Sequence, residues 1–547
     1  MKRYTLLTIL AIFLISAIQA QDKPKLIVGI VVDQMRADYI YRYWEKYSDE
    51  GFKKIIGQGF FCKNVHFNFS PTFTAPGHAS VYSGTSPMDH GIIANNWFDK
   101  KLGEKVYCTS DPNAKSVGTE TDAGKMTPHR MLAPTIGDAT RISNNFKGKS
   151  IGISIKDRGA ILPAGHSANA AYWMDYANGK FVTSDYYMDE LPAWLKAFNK
   201  AKYADELAAN GWSPLLSLEK YTESTVDDTP YEKVYNKNGK PVFPYDVSAL
   251  IKENDYYSFA LTPHGNTILR MLAEKVLVEE DLGDDQYTDL LAISFSSPDM
   301  IGHAFGPQSI EVEDTYIRLD LEIAKLLQTL DERVGKDNYV LFLTADHAAA
   351  EVPKYMKDHK MPISLFNTEA YLDGLKNHLN TNLNAGEWVR NYSNRQLFLN
   401  HELIAEQEVS LEDIYRTIES YTLDFDGISG VLNAKTMQYP LPSNNFAQLT
   451  LNGWNQQRSG DLVIQFLPGW MEYGHQGTTH GSTYSYDTHV PLMFYGKGVY
   501  QGSTSDYIDI TQIAPTISVL GSMAFPMMSS HQVITKVLEE DQNQWKR

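Results

Sequence analysis

Three segments of this chain are continuous apolar runs that end in a carboxylate. Residues 25–33 end on Asp33, residues 339–346 end on Asp346, and residues 290–299 run more loosely to Asp299. A strand with one wet face alternates polar and apolar residues, whereas a strand covered on both faces does not, so these runs read as buried parallel strands. A shorter run, residues 150–155, leads into Lys156. Stretches with apolar residues at helical spacing lie between them, residues 314–334 most clearly. Strands alternating with helices predict an α/β fold with a mostly parallel central sheet flanked by helices. Ligands of open sheets of that kind bind at the carboxyl ends of the strands, where Asp33, Asp299 and Asp346 all fall.

The 547 residues are enough for one large domain with insertions. Two regions read as insertions: about 172–270, rich in Tyr, Asp, Asn and Lys, as a cap over the site, and about 380–460 as a smaller insert. Residues 1–20 read as a signal peptide, with Lys2 and Arg3 before an apolar run and Ala20 at the cleavage point. The mature chain would then span 21–547 and be periplasmic or secreted. The leader run is short for a membrane anchor, and no later stretch is long and apolar enough to span a bilayer. The formal charge is −17, and becomes −19 once Lys2 and Arg3 leave with the leader. So acidic a surface argues against a nucleic-acid partner or an anionic membrane. An anionic substrate would need positive charge concentrated locally, which metal ions can supply. Cys62 and Cys108 can form one disulfide in an exported compartment or stay free and buried.

Asp and His recur in islands that suit metals. Asp299 and His303 are four apart, which puts both on one face of a helix, although such a pair can also be a cap or a surface pair. Asp346 and His347 follow a buried strand and point in different directions. His480 lies in the Gly-rich loop 473–483, where His475 is a rival ligand. With Asp33 these make three Asp and three His, enough for two oxygen/imidazole sites with open coordination positions. Two close metals can stabilise both the attacking and the leaving oxygen of an in-line displacement.

Thr74 precedes Pro76 at the start of a small-residue stretch, a helix-initiation signal. Its hydroxyl would face the unpaired N–H groups of that helix, which favour an oxyanion or a phosphate. Its ordinary reading is an N-cap, and Thr72 is a rival hydroxyl. Lys156 and Arg158 follow a short strand; if the strand continues they share a face, while Asp157 points away. Two cations suit a dianionic monoester better than a monoanionic diester, and Arg can grip two phosphate oxygens. The ordinary reading of the pair is a solvated charge cluster.

Taken together, Val32-Asp33, residues 71–78, Asp299 with His303, residues 344–347 and His480-Gly-Ser resemble the alkaline phosphatase superfamily, in particular its bacterial phosphate-irrepressible alkaline phosphatases. The match spans almost the whole mature chain in the family's order. It implies an alkaline phosphatase-like core and two Zn2+ per subunit. Asp33, Asp346 and His347 would hold one zinc, and Asp299, His303 and His480 the other. Thr74 would bridge toward both as the nucleophile that becomes phosphorylated. It further implies that Lys156, Arg158 and an asparagine downstream, Asn95 with Asn96 as rival, contact the transferred phosphoryl group. The activity implied is hydrolysis of small-molecule phosphate monoesters by a monomer. The alternatives are a nucleotide pyrophosphatase/phosphodiesterase of the same superfamily, which shares the metal ligands but is not expected to have the Lys-x-Arg pair, or a non-catalytic metal-binding protein. Sulfatases of the superfamily need Cys or Ser in a Cys/Ser-x-Pro-x-Arg motif, and residues 74–78 have neither that residue nor the Arg.

Overall fold

The computed structural model describes residues 23–234, 239–438 and 445–538. The expected leader lies outside them. The ten strands of the main sheet are β1 (Leu26–Val32), β2 (Phe60–His66), β3 (Ser116–Val117), β4 (Ser150–Ser154), β5 (Ala170–Asp175), β6 (Lys180–Ser184), β7 (Asp289–Phe295), β8 (Tyr339–Thr344), β9 (His489–Gly496) and β10 (Gly502–Asp509). Their order across the sheet is β10-β2-β9-β8-β1-β7-β4-β5-β6-β3. The fold is α/β, and the block from β8 to β5 is parallel throughout. The three apolar runs are neighbours in it, with Val28 of β1 set between Leu341 of β8 and Leu291 of β7. Every residue of β1, β7 and β8 is buried, which explains why these strands show no alternation.

Five helices matter for the site: α1 (Thr74–Ser83), α2 (Asp157–Ala164), α3 (His264–Glu279), α4 (Ser297–Phe305) and α5 (Ile310–Arg333). Helix α5 starts four residues before the periodic stretch 314–334, because the Ser309 side chain accepts from Val312 N–H at its N-terminus. Helix α1 is buried along its whole length. Its small residues let it lie flush on the sheet; a Cβ on Gly77 would overlap the Asp346 carbonyl.

Residues 193–234 and 239–254 form short helices and loops fixed to the start of α5. Asp314 accepts from Trp212 Nε1 (2.8 Å), Leu215 N–H (2.7 Å) and the Tyr221 hydroxyl (2.5 Å). Glu311 accepts from Tyr245 (2.6 Å) and Glu313 from Ser224 (2.6 Å). Four further strands form a second sheet in the order Val389–Ser393, Gln396–Leu399, Leu462–Phe466, Ile428–Asn433, with its own apolar core around Tyr371, Leu397 and Ile418. Cys62 and Cys108 are both buried free thiols, each pushed up to about 12 by burial. No helix among the described residues is long and apolar enough to cross a membrane.

Candidate active site

The parallel block lays out the site in strand order. Asp346 follows β8, Asp33 follows β1, Asp299 stands in the first turn of the helix after β7, and Lys156 follows β4. Adjacent strands lie about 4.8 Å apart, so four neighbouring strand ends deliver four charged groups to one patch. The Lys156 ammonium bonds Asp33 Oδ2 at 2.7 Å and Asp299 Oδ2 at 2.5 Å. Burial opposes its charge, but Asp299 and Asp33 raise its pKa above the ordinary lysine value.

Lys156 and Arg158 do not share a strand face. Strand β4 ends at Ser154, Lys156 is the N-cap of α2, and Arg158 is the second residue of that helix. The expectation of a continued strand is corrected: Ser154 Oγ accepts from Lys156 N–H at 3.0 Å and turns the chain. Both cations still lie near Asp33, now from the first turn of a helix. The Tyr107 hydroxyl accepts from Arg158 Nη1 (3.0 Å) and donates to Asp157 (2.9 Å), fixing the guanidinium.

All three predicted histidines join the three aspartates. Each has its Nδ1 against a backbone carbonyl: His303 on Thr478 (2.7 Å), His480 on Thr72 (2.6 Å) and His347 on Ala348 (3.0 Å). The Nε2 atoms therefore face inward. His303 Nε2 is 3.2 Å and His480 Nε2 3.7 Å from Asp299 Oδ1, while His347 Nε2 is 3.4 Å from Asp33 and 3.7 Å from Asp346. A carbonyl on one ring nitrogen and carboxylates beyond the other is how proteins orient a metal-binding imidazole. Burial lowers the pKa of both His347 and His480, which keeps them neutral as ligands must be. His475, the rival, is exposed.

Asp299, His303 and His480 converge within 4.8 Å, and so do Asp33, Asp299 and His347. Asp299 appears in both sets and is bridged to Asp33 by Lys156, while Asp346 belongs to neither and lies 3.7 Å from His347 Nε2. Asp33 Oδ1 and Asp346 Oδ2 are buried without a hydrogen-bond partner. Burial, with Asp299 and Asp346 close by, raises the pKa of Asp33 well above the usual carboxylate range. Burial acts the same way on Asp299, but His303 and Lys156 hold it well below that range. Buried carboxylates with unpaired oxygens and oriented neutral imidazoles fit divalent cations.

Thr74 is the first residue of α1, after Phe73 in extended conformation. Its hydroxyl caps no helix N–H and lies 3.5 Å from His347 Nε2. The capping role falls to Asn95, whose Oδ1 accepts from Ala75 N–H at 2.8 Å. Asn95 is thereby fixed beside Thr74, whereas the Asn96 carbonyl accepts from Asn394. The Thr72 hydroxyl is engaged elsewhere, donating to the Ser482 carbonyl (3.2 Å).

Two residues that the sequence did not single out complete the site. His78 is buried with Nδ1 2.8 Å from the Thr74 carbonyl and 3.3 Å from Asp346 Oδ2, and Nε2 2.8 Å from Ser294 Oγ. Its position four residues after Thr74, on the same helix face, was the available signal. Gln34 donates its amide N–H to Asp346 (3.1 Å) and Nε2–H to Asp299 (2.7 Å). It does so from a left-handed backbone (φ 65°), which no sequence pattern announces.

Residues 27–490 match the model of the type I phosphodiesterase/nucleotide pyrophosphatase family. The chain is 40% identical over 532 residues to a Myroides odoratus protein described as a calcium-transporting ATPase, covering 96% of this chain and 97% of that one. It is 39% identical over 525 residues to the alkaline phosphatase PafA of Elizabethkingia meningoseptica, covering 95% of each. The crystal structure of wild-type alkaline phosphatase PafA superposes with a TM-score of 0.92 at 39% identity, over 95% of this chain and 100% of that one. The chain therefore belongs to the type I phosphodiesterase/nucleotide pyrophosphatase family, within the alkaline phosphatase superfamily, and it is a phosphatase.

Proposed function

We propose that the chain is an exported, monomeric phosphate-monoester hydrolase that works with two zinc ions and a phospho-threonine intermediate. The observation that carries this reading is the meeting of the Thr74 hydroxyl, six candidate ligands and two fixed cations on one patch. Asp33, Asp346 and His347 would hold one ion and Asp299, His303 and His480 the other. Bound there, zinc supplies Lewis-acid charge that favours the Thr74 alkoxide and the departing ester oxygen.

The protein's own groups do the rest. Thr74 Oγ attacks phosphorus in line, so the Oγ–P bond forms as the ester P–O bond breaks. Water then attacks the phospho-threonine, releases phosphate and restores the hydroxyl. Lys156, Arg158 and the Asn95 amide hold the transferred oxygens, where charge is spread in the transition state. His78 donates Nδ1–H to the Thr74 carbonyl and so holds the first turn of α1, and Thr74 starts each cycle in position.

The family model and its name favour a second reading, a diesterase. The paired cations support the monoester instead, because a diester replaces one charged oxygen with an alkoxy group that neither cation would bind well.

Dialysis against a chelator is expected to lower phenyl phosphate hydrolysis by at least about a thousandfold. Two equivalents of zinc should restore it, with phenyl sulfate hydrolysed far more slowly throughout. Full activity in protein shown to be metal-free, or a preference for the sulfate ester, would refute this reading.

A further inference from the structure

The metal-ligand set Asp299, His303 and His480 has a rim that the reaction above does not use. Tyr473 donates its hydroxyl to the His303 carbonyl at 3.1 Å, and its ring stands 6.1 Å from the His303 ring. Lys233 bonds the same hydroxyl, and its ammonium lies 4.1 Å from the centre of the Tyr473 ring. The backbone fixes this corner: Lys233 N–H donates to the Ala304 carbonyl (3.0 Å), and Gly477 N–H donates to that of Tyr231 (2.8 Å). Gly477 is needed there, since a Cβ would overlap the His303 carbonyl and come within 3.0 Å of Lys233 Cε. Tyr257 is a further neighbour of Tyr473. It is 46% exposed, packs edge-on to Tyr176 at 5.8 Å, and sits in the fields of Lys156, Asp299 and Arg158.

Lys233 is half-buried, and among the described residues it bonds the Tyr473 hydroxyl and forms no ion pair with a carboxylate. Burial lowers its pKa, and no acidic neighbour offsets that. The adjacent Glu232 is buried in the interior, in the field of Glu311. An ammonium held in a partly dry place by a ring and a hydroxyl is a site for an anion that the protein does not supply.

We infer that Lys233, with Tyr473 and Tyr257, forms a leaving-group subsite that selects phosphate monoesters whose leaving group carries a second negative charge. The inference rests on the monoesterase reading, which places the leaving oxygen beside Asp299, His303 and His480. A ring or sugar attached to that oxygen would lie between Tyr257 and Tyr473 and present its far end to Lys233.

The test compares 3-carboxyphenyl phosphate with 3-carbamoylphenyl phosphate, leaving groups of one shape that differ by one charge. In the zinc-loaded wild type the carboxylate is expected to have about tenfold higher kcat/KM, a difference of about 1.4 kcal/mol. Lys233→Met should bring the ratio close to one, and Lys233→Arg should keep it, with circular dichroism confirming that both variants fold. A wild-type ratio near one, or an unchanged ratio in folded Lys233→Met, overturns the subsite. Hydrolysis of neither compound overturns the monoesterase reading itself, and the subsite with it.

Discussion

Thr74→Ala is expected to lower kcat for phosphate monoesters by at least about a thousandfold while the protein keeps the metal content and fold of the wild type. The hydroxyl is the only atom group lost that faces the cluster, 3.5 Å from His347 Nε2. It makes no capping bond, so its removal does not open the helix. The Ala75 N–H bond to Asn95 and the His78 bond to the Thr74 carbonyl involve atoms that alanine retains or never touches. Metal analysis should therefore match the wild type, and acid-quenched enzyme should carry no phosphate on residue 74. Wild-type turnover in the variant would remove Thr74 from the mechanism, and a labelled Thr72 in the wild type would reassign it.

The second large effect is expected from the paired cations. Removing one preorganised donor from a site where charge develops costs about 10²–10³ in rate. Lys156→Ala and Arg158→Ala together should lower kcat/KM for a monoester by at least about that factor, because in the proposed mechanism both act on the transferred oxygens. The same pair should change diester hydrolysis by less than about tenfold, since the diester lacks the third charged oxygen. The single variants are not expected to add. Lys156 also neutralises Asp33 and Asp299, so its loss changes the charge seen by the ligand set as well as by the phosphate. Steady-state kinetics on both substrates with matched zinc content checks this, and an equal loss on monoester and diester would assign the pair to the metals alone.

Much of this site could be read from the chain because the strands carry the information. A strand buried on both faces needs an unbroken apolar run, and the first residue past its end is the first that can be charged. Asp33 and Asp346 stand out for that reason, and Asp299 with His303 stands out through helical spacing. What stayed hidden depends on turns and on contacts between distant segments. Nothing in residues 150–158 says that the strand stops at Ser154, because that turn is made by the Ser154 side chain. Gln34 looks like any residue after a strand until its positive φ turns it toward Asp299. Lys233 and Tyr473 are 240 residues apart and share a corner only through the loop that Gly477 permits. The family resemblance supplied the expected partition of the six candidate ligands into two sets, which spacing alone does not give.

The most direct measurement is the ratio of kcat/KM for phenyl phosphate to that for methyl phenyl phosphate with the zinc-loaded wild type. The two charge-assisted contacts proposed for the extra anionic oxygen predict a ratio of about a hundredfold or more in favour of the monoester. Equal rates, or faster hydrolysis of the diester, would contradict the account.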